Sequence, residues 1–158
     1  MKNPSKKSTI SHLILKSKLK VAVLGGGSWG TALIKILTEN KRKVGWYIRN
    51  PVNVDFVKKY RHNPNYLSAA NLKTKRLKIS SDINHVVSEA DVLILTIPSA
   101  FLSSELEKLN QSLNNKIIFS AVKGVVPESM LIVGEHLNKK LNVPLNKIGV
   151  IVGPSHAE

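Results

Sequence analysis

The chain has 158 residues, 42% of them hydrophobic, which is enough for one domain with a buried core. It contains no cysteine, which excludes disulfides and thiolate metal sites, and no apolar run approaches the ~20 residues of a membrane-spanning helix. A net charge of +14 can indicate nucleic-acid binding, but the basic residues are spread along the chain without an RNA-reading motif or zinc-finger spacing. We therefore prefer a general enrichment in lysine, with an anionic substrate as a second reason, and expect no nucleic-acid partner.

Residues 1–19 are rich in lysine and serine and contain no acidic residue. This segment places more residues before the first predicted strand than the domain that follows requires. We interpret them as a basic, disordered extension or the product of an upstream start. A transit peptide has a similar composition, but such peptides are rich in arginine, and these residues contain none. The predicted domain therefore covers residues 20–158.

Residues 20–35, KVAVLGGGSWGTALIK, combine a predicted strand, a glycine-rich turn and the start of a helix. Val21 to Leu24 form the short apolar run that is typical of a buried parallel strand. A helix is predicted over residues 28–40 because apolar residues recur at helical spacing. The predicted inward stripe of this helix consists of Ala32, Leu33, Ile36 and Leu37.

The turn between this strand and helix carries Gly25, Gly27 and Gly30 at G-x-G-x-x-G spacing. Gly25 allows the tight turn, Gly27 has no side chain to keep a pyrophosphate from the backbone, and Gly30 lets the helix approach the strand. The positive amino end of the helix would then face the phosphates. An ordinary glycine-rich turn is the alternative, but the strand before it and the helix after it favour a dinucleotide fingerprint.

The rest of the chain alternates between predicted strands and helices. Strands are predicted at residues 43–48, 77–80, 92–97, 116–121 and 147–152, and helices at 51–60, after an N-cap at Ser81 or Asp82, at 100–113, and at 128–141 with its start at Pro127. Residues 62–76 are predicted to form a loop. This alternation indicates an α/β fold, namely a Rossmann-like, doubly wound, mostly parallel sheet with helices on both faces. Its ligand crevice should lie beyond the carboxyl ends of the strands.

Arg49 follows the second predicted strand, 19 residues after Gly30. A domain that prefers NAD usually has an acidic residue at this place, which bonds to the ribose 2′-hydroxyl, whereas an arginine can accept the 2′-phosphate of NADP. Arg49 therefore indicates NADP, or tolerance of both cofactors. A solvent-exposed basic residue before Pro51 is the alternative.

Three further turns should reach the same crevice. Pro98 ends the fourth strand and is either a strand end with a helix cap or a residue beside the nicotinamide ribose. Lys123 follows the fifth strand, where an ammonium group could hold a phosphorylated substrate or polarise a carbonyl oxygen. Gly153 and Ser155 follow the sixth strand and offer an N–H and a hydroxyl to a phosphate or hydroxyl group.

The histidines show no metal-ligand spacing, and no metal site is predicted. His62, His85 and His136 lie on predicted loop or helix surface, where we expect structural or solvated roles. His156 lies nearer the site, and a hydrogen bond within its loop is the preferred interpretation.

Five motifs, in their order and approximate spacing, resemble the bacterial type of NAD(P)-dependent glycerol-3-phosphate dehydrogenase. They are GGGSWGTAL (25–33), NPNYL (63–67), IPS (97–99), VKG (122–124) and GPSHAE (153–158). Gly26 and Ser68 depart from the family pattern, which usually has Ala and Pro at these positions. Both changes look tolerable, and NPNYL should support the site structurally.

The resemblance assigns roles to the residues around the crevice. With the glycine fingerprint and the Pro98 turn, it implies cofactor contacts at Gly25, Gly27, Ser28, Trp29, Gly30, Arg49, Pro98, Lys123 and Ala157. It implies substrate contacts at Lys123, Gly153 and Ser155. Lys123 would also be catalytic, because it would steady the developing oxyanion. Trp29 could instead be a packing residue.

The activity implied by the resemblance is the reversible NAD(P)H-dependent reduction of dihydroxyacetone phosphate to sn-glycerol 3-phosphate for phospholipid synthesis, in the cytoplasm. Family members continue into a helical C-terminal domain with a lysine that donates or accepts the proton, and the full-length enzyme could be a homodimer. We expect this chain to lack that domain, to bind cofactor weakly and to turn over essentially nothing. The alternatives are another Rossmann dehydrogenase, of the 6-phosphogluconate or ketopantoate reductase type, and a basic nucleic-acid-binding module.

Overall fold

A computed structural model describes residues 19–40 and 42–152 of the chain. The strands are β1 (Val21–Leu24), β2 (Val44–Tyr47), β3 (Leu77–Ser80), β4 (Val92–Leu95), β5 (Ile117–Ser120), β6 (Val125–Val126), β7 (Leu131–Ile132) and β8 (Ile148–Val150). The helices are α1 (Ser28–Glu39), α2 (Pro51–Tyr60), α3 (Ile83–Ser88), α4 (Ser99–Leu106) and α5 (Val133–Leu141), with short 3₁₀ turns at Thr74–Arg76 and Leu145–Lys147. No helix within the described ranges is long and apolar enough to cross a membrane.

Within the described residues, six strands form one sheet in the order β3-β2-β1-β4-β5-β8. All its neighbouring strands are parallel, and Val21 of β1 pairs with Val44 on one side and Val92 on the other. The chain first builds outward from β1 to β3 and then returns to add β4 on the opposite side of β1. This reversal between β1 and β4 is the topological switch point, where open α/β sheets bind their ligands.

Two hydrophobic cores cover the two faces of the sheet. One face packs Val23 and Trp46 against Ile34 of α1 and Val57 of α2. The opposite face packs residues of β1, β4 and β5 against α3, α4 and α5, with Leu102 of α4 fully buried. The predicted class, a doubly wound parallel sheet with helices on both faces, is confirmed. The bounds predicted for β1 and β3 match the structure, and the other four predicted strands were two or three residues too long.

The buried face of α1 matches the predicted stripe only in part: Leu33 and Leu37 pack against the core. Thr31, Ile34 and Thr38 are fully buried, whereas Ile36, which was predicted to face inward, is 55% exposed. The threonine hydroxyls donate to carbonyl groups one turn earlier, Thr31 to Gly27 at 2.8 Å and Thr38 to Ile34 at 2.7 Å. Because these bonds satisfy the hydroxyls within the helix, threonine can occupy positions that the hydrophobic pattern reserved for apolar residues.

Helix α4 ends at Leu106, although a helix was predicted over residues 100–113. The side chain of Asn84 binds the chain just after this end: Nδ2 donates to the Lys108 carbonyl at 2.9 Å, and Oδ1 accepts from the Asn110 N–H at 2.8 Å. These bonds compete with continued helical pairing. The two downstream leucines of the predicted stripe, Leu109 and Leu113, still pack against the core.

A small hairpin replaces the beginning of the helix that was predicted to start at Pro127. Strands β6 and β7 pair antiparallel around a tight turn, in which the Met130 N–H donates to the Val126 carbonyl at 2.8 Å. Met130 adopts a left-handed conformation, with φ +54°. The apolar pairs Val125-Val126 and Leu131-Ile132 favour such a ribbon over a helix, and α5 begins only at Val133.

His136 is a second correction in this region. It was placed on the helix surface, but only 5% of it is exposed, and Ser129 of the hairpin turn lies 2.9 Å from its Nδ1. Burial lowers the pKa of His136 most strongly, and the charge of Lys140 lowers it further, against the opposite effects of Glu128 and Glu107. His85 is exposed and His62 is half-buried.

Candidate functional site

A crevice of about 310 Å³ opens at the carboxyl edge of the sheet, beside the switch point between β1 and β4. It is lined by the glycine turn after β1, the end of β2, helix α2 with the loop after it, and the turn between β4 and α4 together with α4 itself. The lining includes Gly25, Gly26, Gly27, Tyr47, Arg49, Asn50, Tyr66, Thr96, Pro98, Phe101 and Glu105. The sequence pattern had placed the ligand site at this edge.

Two of the three fingerprint glycines are required by close contacts. Gly25 has φ +132°, and a Cβ there would run into Thr96 of the neighbouring segment. A Cβ on Gly30 would run into the carbonyl oxygen of Gly25, so α1 lies directly against the turn. Gly27 is different, because a Cβ there would meet no described atom within 4 Å. Its lack of a side chain therefore leaves space in the crevice.

The amino end of α1 begins directly after Gly27. Its first intrahelical bond runs from the Thr31 N–H to the Gly27 carbonyl at 2.9 Å, so the N–H groups before Thr31 have no partner inside the helix. Among the described residues, no side chain caps this end and no acidic residue lies in its first turn. Three backbone donors and the positive end of a 12-residue helix are therefore available to an anion.

Two buried side chains hold the glycine turn in place. Asn63 is 2% exposed, and its Nδ2 donates to the Gly26 carbonyl at 2.9 Å and to the Thr31 hydroxyl at 2.8 Å. Its Oδ1 accepts from the N–H groups of residues 65 and 66, which shapes the loop after α2. Trp46 Nε1 also donates to the turn, to the Gly25 carbonyl at 2.9 Å. The NPNYL motif thus supports the turn physically, as its expected structural role requires.

Arg49, Phe101, Glu105 and Tyr47 form the other end of the crevice. The side chain of Arg49 is 61% exposed, with its guanidinium carbon 5.2 Å from the centroid of the Phe101 ring. Its Nη1 lies 3.8 Å from Oε1 of Glu105, a carboxylate whose side chain is only 4% exposed. The hydroxyl of Tyr47 donates to the other oxygen of this carboxylate.

The electrostatics of this end explain how a buried carboxylate is tolerated. Burial alone would raise the pKa of Glu105, but hydrogen bonds from Lys108 and Tyr47 and the charges of Lys108 and Arg49 together lower it below its usual value. Lys108 Nζ lies 2.7 Å from Glu105 Oε1. Burial, followed by the bond to Glu105 and its charge, raises the pKa of Tyr47. Glu105 is therefore ionised and Tyr47 neutral near neutral pH.

The structure brings several predicted residues together and leaves others apart. Gly25, Gly27, Arg49 and Pro98 all line the crevice. Ser28, Trp29 and Gly30 form the first turn of α1, and Trp29 is 40% exposed, which disfavours its alternative role in packing. Lys123 is exposed in the segment after β5, on the same edge of the sheet but outside the lining that the described residues form. Gly153, Ser155, His156 and Ala157 lie outside the described residues.

Sequence reasoning missed Tyr47, Phe101 and Glu105. Phe101 carries the clearest signal, since it is the second residue after the IPS turn and lies in the first turn of a helix. Tyr47 ends a strand, and its local sequence indicates only that. Glu105 reaches the crevice from a helix 58 residues further along the chain than Tyr47, and no local pattern indicates that contact. No group of three or more His, Cys, Asp or Glu residues within the described ranges could hold a metal ion.

A glycine turn at the switch point of a parallel sheet, followed by an uncapped helix end that faces an open crevice, defines a dinucleotide-binding domain of the Rossmann class.

Residues 20–158 match the family model described as the NAD-dependent glycerol-3-phosphate dehydrogenase N-terminus. The chain belongs to this family. It is 35% identical over 141 residues to a glycerol-3-phosphate dehydrogenase [NAD(P)+] of Bacillus subtilis, covering 88% of this chain and 41% of that protein. A relative of the same name from Macrococcus caseolyticus is 32% identical over 142 residues, covering 89% of this chain and 42% of its own length.

Solved structures agree with this assignment. The crystal structure of glycerol-3-phosphate dehydrogenase from Coxiella burnetii superposes with a TM-score of 0.74 at 26% identity, covering 88% of this chain and 42% of that one. The chain therefore spans about two fifths of the length of the relatives that it matches.

Proposed function

We propose that this chain is the cofactor-binding part of an enzyme that reversibly reduces dihydroxyacetone phosphate to sn-glycerol 3-phosphate with NADH or NADPH. The observation that carries the proposal is the open, uncapped amino end of α1 above a glycine turn that Asn63 and Trp46 hold rigid. The named activity of the relatives, matched over this part of their length, supports the reaction. By the same resemblance the product would serve phospholipid synthesis.

Each end of the crevice suits a different part of one dinucleotide. Its diphosphate would lie at the N–H groups of Ser28, Trp29 and Gly30, in the space that Gly27 leaves open. Its adenosine would lie toward Arg49 and Phe101, where a planar guanidinium and an aromatic ring offer stacking surfaces. When bound, the cofactor supplies or accepts the hydride. The contribution of this chain is to bind and orient it.

Lys123 is proposed to contact both cofactor and substrate and to stabilise negative charge on the carbonyl oxygen during reduction. Its place supports the proposal, because the segment after β5 lies at the same edge of the sheet as the glycine turn. Gly153 and Ser155 are proposed to bind the substrate phosphate, and Ala157 to lie on the nicotinamide side. These three assignments rest on the GPSHAE motif of the sequence alone.

Two broader properties are part of the proposal. The complete lack of cysteine is compatible with a reducing compartment, and we propose the cytoplasm. A homodimer is proposed for the full-length enzyme by family resemblance.

The binding step is tested by titrating NADH and NADPH into the chain and recording tryptophan fluorescence and calorimetric heats. Saturable binding with one site per chain is the expected result, and no binding at millimolar cofactor would refute the proposal. The reaction is tested on the native gene product with dihydroxyacetone phosphate or ketopantoate in the presence of NAD(P)H, and with 6-phosphogluconate in the presence of NAD(P)+. Turnover is expected with dihydroxyacetone phosphate only. Salt-sensitive retention on DNA without cofactor binding would favour a nucleic-acid module instead.

A further inference from the structure

An acidic side chain reaches the adenosine end of the crevice from an unexpected element. In this chain the end of β2 carries Arg49, so the acid that typically follows the second strand in NAD-preferring domains is absent there. Helix α4 instead supplies Glu105, which lines the crevice and is 3% exposed. This end of the crevice therefore carries two charged side chains: Arg49, which is cationic and exposed, and Glu105, which is anionic and buried.

The contacts of Glu105 join it to Arg49. Nη1 of Arg49 lies 3.8 Å from Oε1 of Glu105, and the same guanidinium lies over the Phe101 ring, one turn earlier on α4. Glu105 is fixed in turn by the hydroxyl of Tyr47 and by Lys108 at 2.7 Å. An exposed arginine alone would be free to move. Here a carboxylate and a ring of one helix hold it against the wall of the crevice.

We propose that Glu105 is a positioning residue that sets the preference between NAD and NADP, because its ion pair with Arg49 competes with the 2′-phosphate for the guanidinium and offsets part of its positive charge. This inference rests on the proposed cofactor-binding function. NADP differs from NAD only by its 2′-phosphate, so a charge that weakens the field of Arg49 affects NADP selectively. The Glu105 carboxylate is buried but Arg49 is 61% exposed, so water screens their interaction in part and the effect on affinity is moderate. Glu105 therefore lowers the affinity for NADP relative to NAD at a site that carries an arginine.

The test compares dissociation constants of NADH and NADPH for the wild-type chain and for Glu105→Gln. Glutamine keeps the shape but lacks the charge: its single amide oxygen can still accept from Lys108, while its Nε2 can donate to the Tyr47 hydroxyl. The affinity for NADPH relative to NADH should rise on the order of 5-fold, which corresponds to about 1 kcal/mol. The matched control is Glu107→Gln, two residues further on and exposed, which should leave the ratio unchanged. An unchanged or reduced ratio in Glu105→Gln would overturn the inference.

A double-mutant cycle separates positioning from a general structural effect. In an Arg49→Gln background, Glu105→Gln should change the ratio clearly less than in the wild-type chain, because the part of its effect that runs through the guanidinium is gone. A ratio that shifts equally in both backgrounds would contradict the inference.

A second variant decides the matter if Glu105→Gln does not fold. Lys108 is exposed and pairs with Glu105, so Lys108→Gln should leave the carboxylate to act more strongly on Arg49 and shift the ratio toward NADH. That shift should be smaller in the Arg49→Gln background, and a shift of equal size there would overturn the inference. Failure of the wild-type chain to bind either cofactor would instead refute the proposed function itself, and this inference with it.

Discussion

The two ends of the crevice are built in different ways. The glycine turn is built from backbone groups that buried side chains hold in place. Asn63 and Trp46 donate hydrogen bonds to its carbonyl groups, and Gly30 lets α1 lie in contact with it. At the other end, the groups that face the crevice are side chains, and the outermost of them, Arg49, is mostly exposed. The first end depends on close packing and the second on charge.

This difference implies different responses to substitution. A backbone site in close contact has no freedom to adapt, so a single added methyl group displaces the structure. A site made of charged side chains can be adjusted one charge at a time without loss of the fold. We expect the diphosphate end to decide whether a dinucleotide binds at all, and the adenosine end to decide which one.

The largest effect should come from Gly30→Ala. The new Cβ would run into the Gly25 carbonyl, a backbone atom that cannot move aside cheaply, so unfolding free energy should fall by ~1–3 kcal/mol and cofactor binding should be lost. Gly27→Ala is the matched control for stability, since its Cβ meets no described atom within 4 Å. Its free energy of unfolding should stay within ~0.5 kcal/mol of the wild-type value. Its affinity for NADH should nevertheless fall by at least about 10-fold. Urea unfolding and NADH titration measure both, and equal stability of the two variants would contradict the comparison.

Asn63→Ala should have the next largest effect. It leaves the Gly26 carbonyl and the N–H groups that Asn63 now binds without their partner, which costs ~1–3 kcal/mol when such groups are buried. Both cofactors should bind more weakly by the same factor, because the diphosphate is common to them. Exposed Asn146→Ala serves as the control. A selective loss of only one cofactor would show that the two ends are not separate.

Arg49→Gln should sharpen the contrast from the adenosine end. We expect affinity for NADPH to fall by about 10-fold while NADH changes by less than about 3-fold, since only the 2′-phosphate loses its charged partner. The melting temperature should stay near that of wild type, because the side chain is 61% exposed. Lys58→Gln, on the exposed surface of α2, controls for the loss of one positive charge. Equal losses for both cofactors would contradict a role in selectivity.

Tyr47→Phe should give the smallest effect and one that depends on pH. The pKa of Tyr47 is raised, chiefly by burial, so the neutral phenol stabilises the fold fully below about pH 10 and that contribution is lost as the pH rises further. The variant should therefore be ~1 kcal/mol less stable than wild type at pH 7, and the gap should narrow above about pH 10. Urea unfolding between pH 7 and 11 measures it. A gap that stays constant over this range would disprove the linkage.

The sequence was most informative where function depends on the backbone. The spacing of Gly25, Gly27 and Gly30 predicted the turn, the helix end and their position in the sheet, because glycine is required wherever chains approach closely. The position of Arg49 at the crevice was predicted from the topology, because the carboxyl ends of parallel strands meet at one edge of the sheet.

Contacts between distant side chains could not be predicted in this way. The bond between Tyr47 and Glu105 joins residues 58 positions apart, and neither side chain has a local pattern that points to the other. The inward face of α1 was misjudged because Thr31 and Thr38 satisfy their hydroxyls inside the helix and so pack as apolar residues do. The hairpin at β6 and β7 was missed because Pro127 also suits the first turn of a helix.

The two tryptophans of the chain give the molecule a pair of intrinsic optical probes. The indole of Trp46 is wholly enclosed and bonded to the Gly25 carbonyl, so its emission should lie at short wavelength and resist acrylamide. The indole of Trp29 stands partly in solvent on the first turn of α1 and should emit at longer wavelength. One spectrum can thus report separately on the interior of the turn and on its outer lip.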